Sequence, residues 1–170
     1  MGAFTVRSAN ATDAAAILAL HRRVAAAPGG LARRPEEITA EYVAQAMATA
    51  ANGGINLVAV DAVGDLCGEI HAARMKIQLF AHVLTDLTVA VDPDWQGRGV
   101  GSALFHALID TARRMSPPIG RIELWTGAGN LGAQRLYQRL GFKLEGRMVG
   151  RGRLPDGTAD DDIVMGLLLD

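Results

Sequence analysis

The chain carries a single cysteine, Cys67, so no disulfide can close within it. That fits a reducing compartment. No activating partner stands beside Cys67, so it is expected to fill core space and not to act as a nucleophile. Excess base is also missing: 17 Lys and Arg against 18 Asp and Glu leave a net charge of −1. A protein built mainly to hold nucleic acid would need a surplus of base to neutralise phosphates. No apolar run approaches the roughly 18 residues that cross a bilayer, so no membrane span is expected. Met1 to Arg7 has no apolar stretch of signal-peptide type, and Val6 stands where a myristoylation context has Ser or Thr. These absences together predict a cytoplasmic protein. No repeat of solenoid period occurs, and no low-complexity tract beyond a general richness in alanine. The run Asp160-Asp161-Asp162 lacks the Gly-containing loop and closing Glu of a calcium site, and no metal site is expected.

What is present describes a globular chain. Its 170 residues are 49% hydrophobic and 21% charged, which predicts one domain over residues 1–170 with a full core. Phe4 to Arg7 reads as a strand. A helix capped by Thr12 or Asp13 follows, with Ile17, Leu20, His21 and Val24 on one face. His21 there reads as a half-buried packing residue. Pro35-Glu36-Glu37 opens a second helix carrying Ile38, Tyr42, Gln45 and Ala46, and Asn52-Gly53-Gly54 stops it. Asn56–Asp61 and Leu66–Ile77 read as a hairpin, and Val83–Val91 as a central strand. The helix from Val100 shows Leu104, Ala107, Leu108, Thr111 and Met115 on one stripe. Strand Arg121–Thr126, a short helix Asn130–Leu140 with Gly141 as its stop, and a closing hairpin turned at Leu154-Pro155-Asp156-Gly157 complete the chain. The order is β-α-α-β-β-β-α-β-α-β-β. The fold class predicted is α/β, a mixed, mostly antiparallel sheet with helices on both faces and one right-handed parallel crossover over residues 87–126.

One stretch carries chemistry. Strand Leu87–Val91 runs through Asp92-Pro93-Asp94-Trp95 into Gln96-Gly97-Arg98-Gly99-Val100-Gly101-Ser102 and a helix start. Three glycines at alternate positions let the backbone approach a ligand closely. The amides from Gly97 to Ser102, with the positive end of the helix dipole, make a seat for a diphosphate. A P-loop would need a lysine that is absent here. A dinucleotide fingerprint would follow its strand directly with a later third glycine, and would need an acid ending the next strand to hold a ribose.

A second constellation lies downstream: Asn130, then Leu136-Tyr137, then Gly141-Phe142. With Gln96, Gly99 and Gly101, which meet a Gln/Arg-x-x-Gly-x-Gly/Ala pattern, it resembles the GCN5-related N-acetyltransferase (GNAT) family. The resemblance in order and length extends over nearly the whole chain. It implies acetyl-CoA as donor, with no metal, and the acceptor side formed by the two N-terminal helices. It implies a gap between the strands at Leu87–Val91 and Ile122–Thr126. The pantetheine arm would lie there against the backbone near Val89 and Val91, with the diphosphate on Gln96, Gly97, Arg98, Gly99, Val100, Gly101 and Ser102. Asn130 and Tyr137 would face the thioester.

The reaction the resemblance implies needs a neutral amine, a donor to the carbonyl oxygen and a proton for the thiolate. A backbone N–H at Val89 or Ala90 is expected to serve the oxygen, and Tyr137 the thiolate. Tyr137 also reads as an ordinary core residue on an apolar helix face, and Asn130 as an N-cap. Asp86 is the first candidate for the base or for acceptor contact, with Glu69 and His82 as alternatives. Arg33 and Arg34 read as solvated or as contacts to an acidic acceptor. The expected acceptor is a primary amine of a small molecule or amino acid, with a protein amine or a non-catalytic CoA-binding role as alternatives. A homodimer is compatible with such a fold.

Overall fold

The computed structural model of the protein describes residues 3–154 and 156–169. Seven strands form one sheet: β1 (Phe4–Ser8), β2 (Ile55–Asp61), β3 (Leu66–Arg74), β4 (Val83–Val91), β5 (Arg121–Gly127), β6 (Lys143–Arg153) and β7 (Ala159–Leu168). Their spatial order is β1-β2-β3-β4-β5-β7-β6. Every neighbouring pair is antiparallel except β4 with β5. The fold is therefore the mixed, mostly antiparallel α/β sheet that the order of elements predicts. Pro155, within the expected hairpin turn, lies outside the described residues, as do Met1, Gly2 and Asp170. No helix among the described residues is long and apolar enough to cross a membrane.

Helices cover both faces of β2 and β3, whose residues are buried on both. On one face α1 (Ala14–Ala26) and α2 (Ala40–Ala51) press Ile17, Leu20, Val24 and Val43 onto Val58, Leu66 and Ala90. On the other, α3 (Val100–Arg113) sets Leu104, Phe105 and Leu108 against Leu57, Ile70, Leu84 and Ile122. The short α4 (Leu131–Arg139) adds Tyr137 to the same cluster. Each such side chain taken fully out of water contributes about 1.5–3 kcal/mol. α3 sits so close to β3 that a Cβ on Gly68 would fall 2.8 Å from Val100 Cγ1 and 2.9 Å from Leu104 Cδ1.

Local expectations fail where a side chain finds a better partner. Asn10, not Thr12 or Asp13, provides the entry cap before α1, accepting from Thr12 N at 2.9 Å. Asp13 is taken by Arg7, in a two-pronged pair at 2.7 and 2.8 Å. Pro35–Glu37 forms a separate 3-10 turn, and α2 starts later, with Thr39 accepting from Tyr42 N. β3 ends at Arg74, three residues short of the expected Ile77, and residues 78–80 coil into a 3-10 turn.

The sheet is nearly severed in its middle. β4 and β5 pair only at Val83 with Arg121 and Leu84 with Ile122. Beyond that point β4 bulges. His71 lies opposite Thr88 and Ala73 opposite Thr85, so β4 spends three steps where β3 spends two. Asp86 absorbs the extra residue in the left-handed region, at φ 50°. Such a bulge bends and twists the strand, and here it carries β4 away from β5. It also resets the alternation. Leu87, Val89 and Val91 pack towards α3, while Ala90 faces α1.

Candidate active site

The gap between β4 and β5 ends at the glycine turn. Asp92 closes β4, accepting from Asp94 N at 3.0 Å, and its other oxygen is held by Arg23 at 2.8 and 3.0 Å. A short 3-10 turn, Pro93–Trp95, leads to the glycines. Gly97 and Gly99 have φ of 70° and 87°. Gly99 is the N-cap of α3, and no side chain caps that helix. The first bond within the helix is Ala103 N to Gly99 O. The N–H groups of Val100, Gly101 and Ser102 thus precede the ladder and face outward with the positive end of the helix. Nothing stands within 4 Å of where a Cβ would be at Gly97 or Gly99. Gln96 and Arg98 are exposed, Arg98 lying over the Trp95 ring at 5.3 Å. Val100 is buried in the core and can offer only its backbone. Uncapped donors beside open space fit a diphosphate.

The backbone of β4 completes the cleft. Asp92 N donates to Cys67 O. Alternation along the ladder then turns Ala90 and Thr88 towards β3 and leaves the N–H and C=O of Val89 and Val91 facing the gap.

Across the gap, Asn130 caps α4, its side chain accepting from Ala133 N at 3.1 Å. Tyr137 is 7% exposed and packs edge-on to Phe105, with ring centroids 5.4 Å apart. Burial pushes its hydroxyl pKa up to about 12.

The three acid–base candidates separate. Asp86 is exposed at the bulge. His82 is exposed beside the paired end of β4, where it lines an open cavity of about 610 Å³ with Phe80 and Glu123. That cavity lies at the opposite end of β4 from the glycine turn. Glu69 is fully buried and sits between two imidazoles. His21 Nε2 is 2.9 Å from one carboxylate oxygen, and His71 Nδ1 is 3.0 Å from the other. Burial alone would raise Glu69, but the charge of His71 and the hydrogen bonds from both imidazoles outweigh it and hold the carboxyl below its ordinary value. The donor atoms of His21, Glu69 and His71 all lie within 4.8 Å of one another.

His21 is therefore not a half-buried packing residue. It is fully buried and hydrogen-bonded. His71 and Tyr42 carry no functional expectation from sequence, yet both stand here. The His21 and His71 rings stack at 6.1 Å, and Tyr42 touches both, at 5.8 and 6.4 Å. Arg33 lies over the Tyr42 ring at 4.7 Å. The signal available was Glu69-x-His71 in a strand, a spacing that puts both side chains on one face. Cys67 is fully buried, as expected, and burial pushes its thiol up to about 11.

Known proteins share this fold. A Kribbella flavida GCN5-related N-acetyltransferase superposes with a TM-score of 0.85 at 30% identity, covering 98% of each chain. A putative acetyltransferase from Salmonella typhimurium, solved with its cofactor acetyl-CoA, gives 0.84 at 26% identity over 99% of this chain and 95% of its own. Among curated relatives, an L-amino acid N-acetyltransferase of Escherichia coli is 32% identical over 83 residues, 49% of this chain and 50% of that protein. An uncharacterized N-acetyltransferase of Methanocaldococcus jannaschii is 46% identical over 55 residues, 32% of this chain and 24% of that protein. The chain thus spans half or less of these two curated relatives. The family model described as the acetyltransferase (GNAT) family matches residues 31–142. With the split sheet, the uncapped glycine turn and that match in hand, the chain belongs to the GNAT acetyltransferase family.

Proposed function

We propose that the chain moves an acetyl group from acetyl-CoA to the primary amine of a small molecule or amino acid, by direct attack on the thioester. One observation carries this reading: the free edge of β4 leads, through the Pro93–Trp95 turn and the glycines, to the uncapped start of α3. Gln96, Gly97, Arg98, Gly99, Val100, Gly101 and Ser102 would hold the diphosphate, and the backbone of Val89 and Val91 the pantetheine arm. Asn130, by capping α4, fixes the turn from which Tyr137 is presented. When bound, acetyl-CoA supplies an activated acyl carbon and a thiolate leaving group.

This chain's residues then do three things. The Val89 N–H, turned to the gap, donates to the acyl oxygen; the Ala90 N–H is turned to β3. Tyr137 stays protonated at neutral pH and gives its proton to the departing sulfur. The cleft holds amine and acyl carbon together, which alone lowers the barrier substantially. Asp86, exposed at the bulge, offers negative charge to the incoming ammonium.

Arg33 favours an acceptor that also bears a carboxylate. Its guanidinium lies over Tyr42, at the edge of the buried His21, Glu69 and His71 group. The relative named for L-amino acid acetylation supports the same class. The test is thiol release from acetyl-CoA with a panel of amino acids, simple amines and peptides with a free N-terminus. Release is expected with at least one amino acid. CoA binding without release from any member of the panel would leave a binding module in place of an enzyme.

A further inference from the structure

The geometry points to His71 as the group that takes the proton from the acceptor amine, with Glu69 and His21 as its positioning residues. This inference rests on the acetyl-transfer reading above.

The hydrogen-bond directions follow from chemistry. An ionised carboxylate only accepts, so both imidazoles must donate to Glu69. His71 therefore carries its proton on Nδ1, and its Nε2 holds a lone pair. His21 donates from Nε2, and its Nδ1 lone pair is one of two buried side-chain polar atoms without a partner among the described residues. His71 Nε2 is not one of them, and no protein group among the described residues bonds it, so it keeps access to solvent beside α1 and α2. Its place fits the chemistry. His71 lies directly opposite Thr88, one residue from the Val89 amide that faces the gap.

The step is simple. An N–H bond of the acceptor ammonium breaks, and its electron pair stays on nitrogen. The proton binds the His71 Nε2 lone pair, and the imidazolium later returns it to solvent. Glu69 accepts the Nδ1 proton and so holds the ring in the tautomer that leaves Nε2 free to take a proton. His21 holds the second carboxylate oxygen, which fixes the rotation of Glu69 and hence of His71.

Two rivals are weaker. Asp86 is exposed and has no hydrogen bond among the described residues to orient it. A metal ion held by the same three side chains would displace the hydrogen bonds they already share. A metal-bound imidazole also ordinarily has its other nitrogen bonded to a polar group, and His21 Nδ1 has none among the described residues.

The groups facing His71 are Glu69 on its own strand, His21 from α1, Tyr42 from α2 and Arg33 beyond Tyr42. Burial and the charge of Glu69 push the Tyr42 hydroxyl up, so Tyr42 does not compete as a base near neutrality.

His71→Asn tests the role. Its amide nitrogen can still donate to Glu69, but Nε2 is gone. We expect kcat at pH 7 to fall about 10²-fold or more, with acetyl-CoA affinity by calorimetry unchanged. The residual rate should climb tenfold per pH unit until the acceptor's own pKa. Glu69→Gln leaves one acceptor oxygen for two imidazoles, so nitrogen NMR should show His71 no longer held on Nδ1 alone, and kcat should fall with acetyl-CoA affinity unchanged. A wild-type rate retained by His71→Asn, or a His71 tautomer unmoved by Glu69→Gln, overturns the proposal. One measurement needs neither variant to fold. Nitrogen NMR of otherwise native protein lacking the exposed His82 and His106 should show His71 protonated on Nδ1 alone. The opposite tautomer, or stoichiometric zinc in the purified protein, also overturns it. Failure of unsubstituted protein to bind acetyl-CoA would count instead against the acetyl-transfer reading.

Discussion

Tyr137 is a core residue to which the proposed reaction also gives a proton-donating role. Its ring is clamped between Phe105 and Phe142, with centroids 5.4 and 6.0 Å away. That burial pushes its hydroxyl up to about 12, so the acid form persists through any ordinary assay pH. Tyr137→Phe keeps the ring and loses only the hydroxyl. We expect kcat to drop roughly 10²-fold with acetyl-CoA affinity nearly unchanged. We also expect no limb of the pH profile below about pH 11 to belong to this hydroxyl. Steady-state kinetics beside calorimetry separates the two effects, and an unchanged kcat removes Tyr137 from the reaction. Tyr137 stands out in sequence because a motif surrounds it. His71 does not, because the role proposed for it depends on Glu69 beside it and on His21, 50 residues away in the chain. Nothing local to a histidine says which carboxylate will fold onto it.

At the scale of the element, the glycine turn and the bulge behave differently. The turn was legible because Pro93, Gly97 and Gly99 sit at positions where fixed or positive φ is needed. The bulge was not, since Asp86-Leu87-Thr88 has no glycine to mark it. Asp is merely one of the residues that tolerate the left-handed region. The extra residue becomes visible only from the register between β3 and β4. The glycines of the turn also differ from one another. At Gly99 a side chain would have to adopt φ 87° and would enter the open space beside the free amides. At Gly101 a Cβ would meet Leu136 and Val91 at 3.6 and 3.7 Å, which is ordinary contact. Gly99→Val should therefore weaken CoA binding at least tenfold, because its side chain would stand in the open space beside the free amides, while the left-handed strain of about 1–2 kcal/mol falls on stability. Gly101→Ala should stay within about twofold. Titration calorimetry on the two variants decides this, and the reverse ranking would displace the diphosphate from the turn.

The whole molecule is two half-sheets, β1 to β4 and β5-β7-β6, joined by two residue pairs. Most of the rest of the junction is the gap, roofed by α3 and α4. A donor lying along the free edge of β4 and seated on α3 would bridge what the chain leaves unpaired. Binding to the folded state at 100 times Kd stabilises by about 2.7 kcal/mol. For a chain of this size that is a rise in Tm of roughly 5–11 °C, at about 2–4 °C per kcal/mol. Adenosine 3′,5′-bisphosphate, which lacks the pantetheine arm, should raise Tm much less at equal concentration. Amide exchange gives the residue-level form of the same expectation. The Val89 and Val91 N–H groups face the gap, so they should exchange quickly in the free protein and slow markedly with CoA. The Ala90 N–H belongs to the β3 ladder and should be protected in both states. Slowing at Ala90 with none at Val89 and Val91 would mean that the arm does not run along this edge.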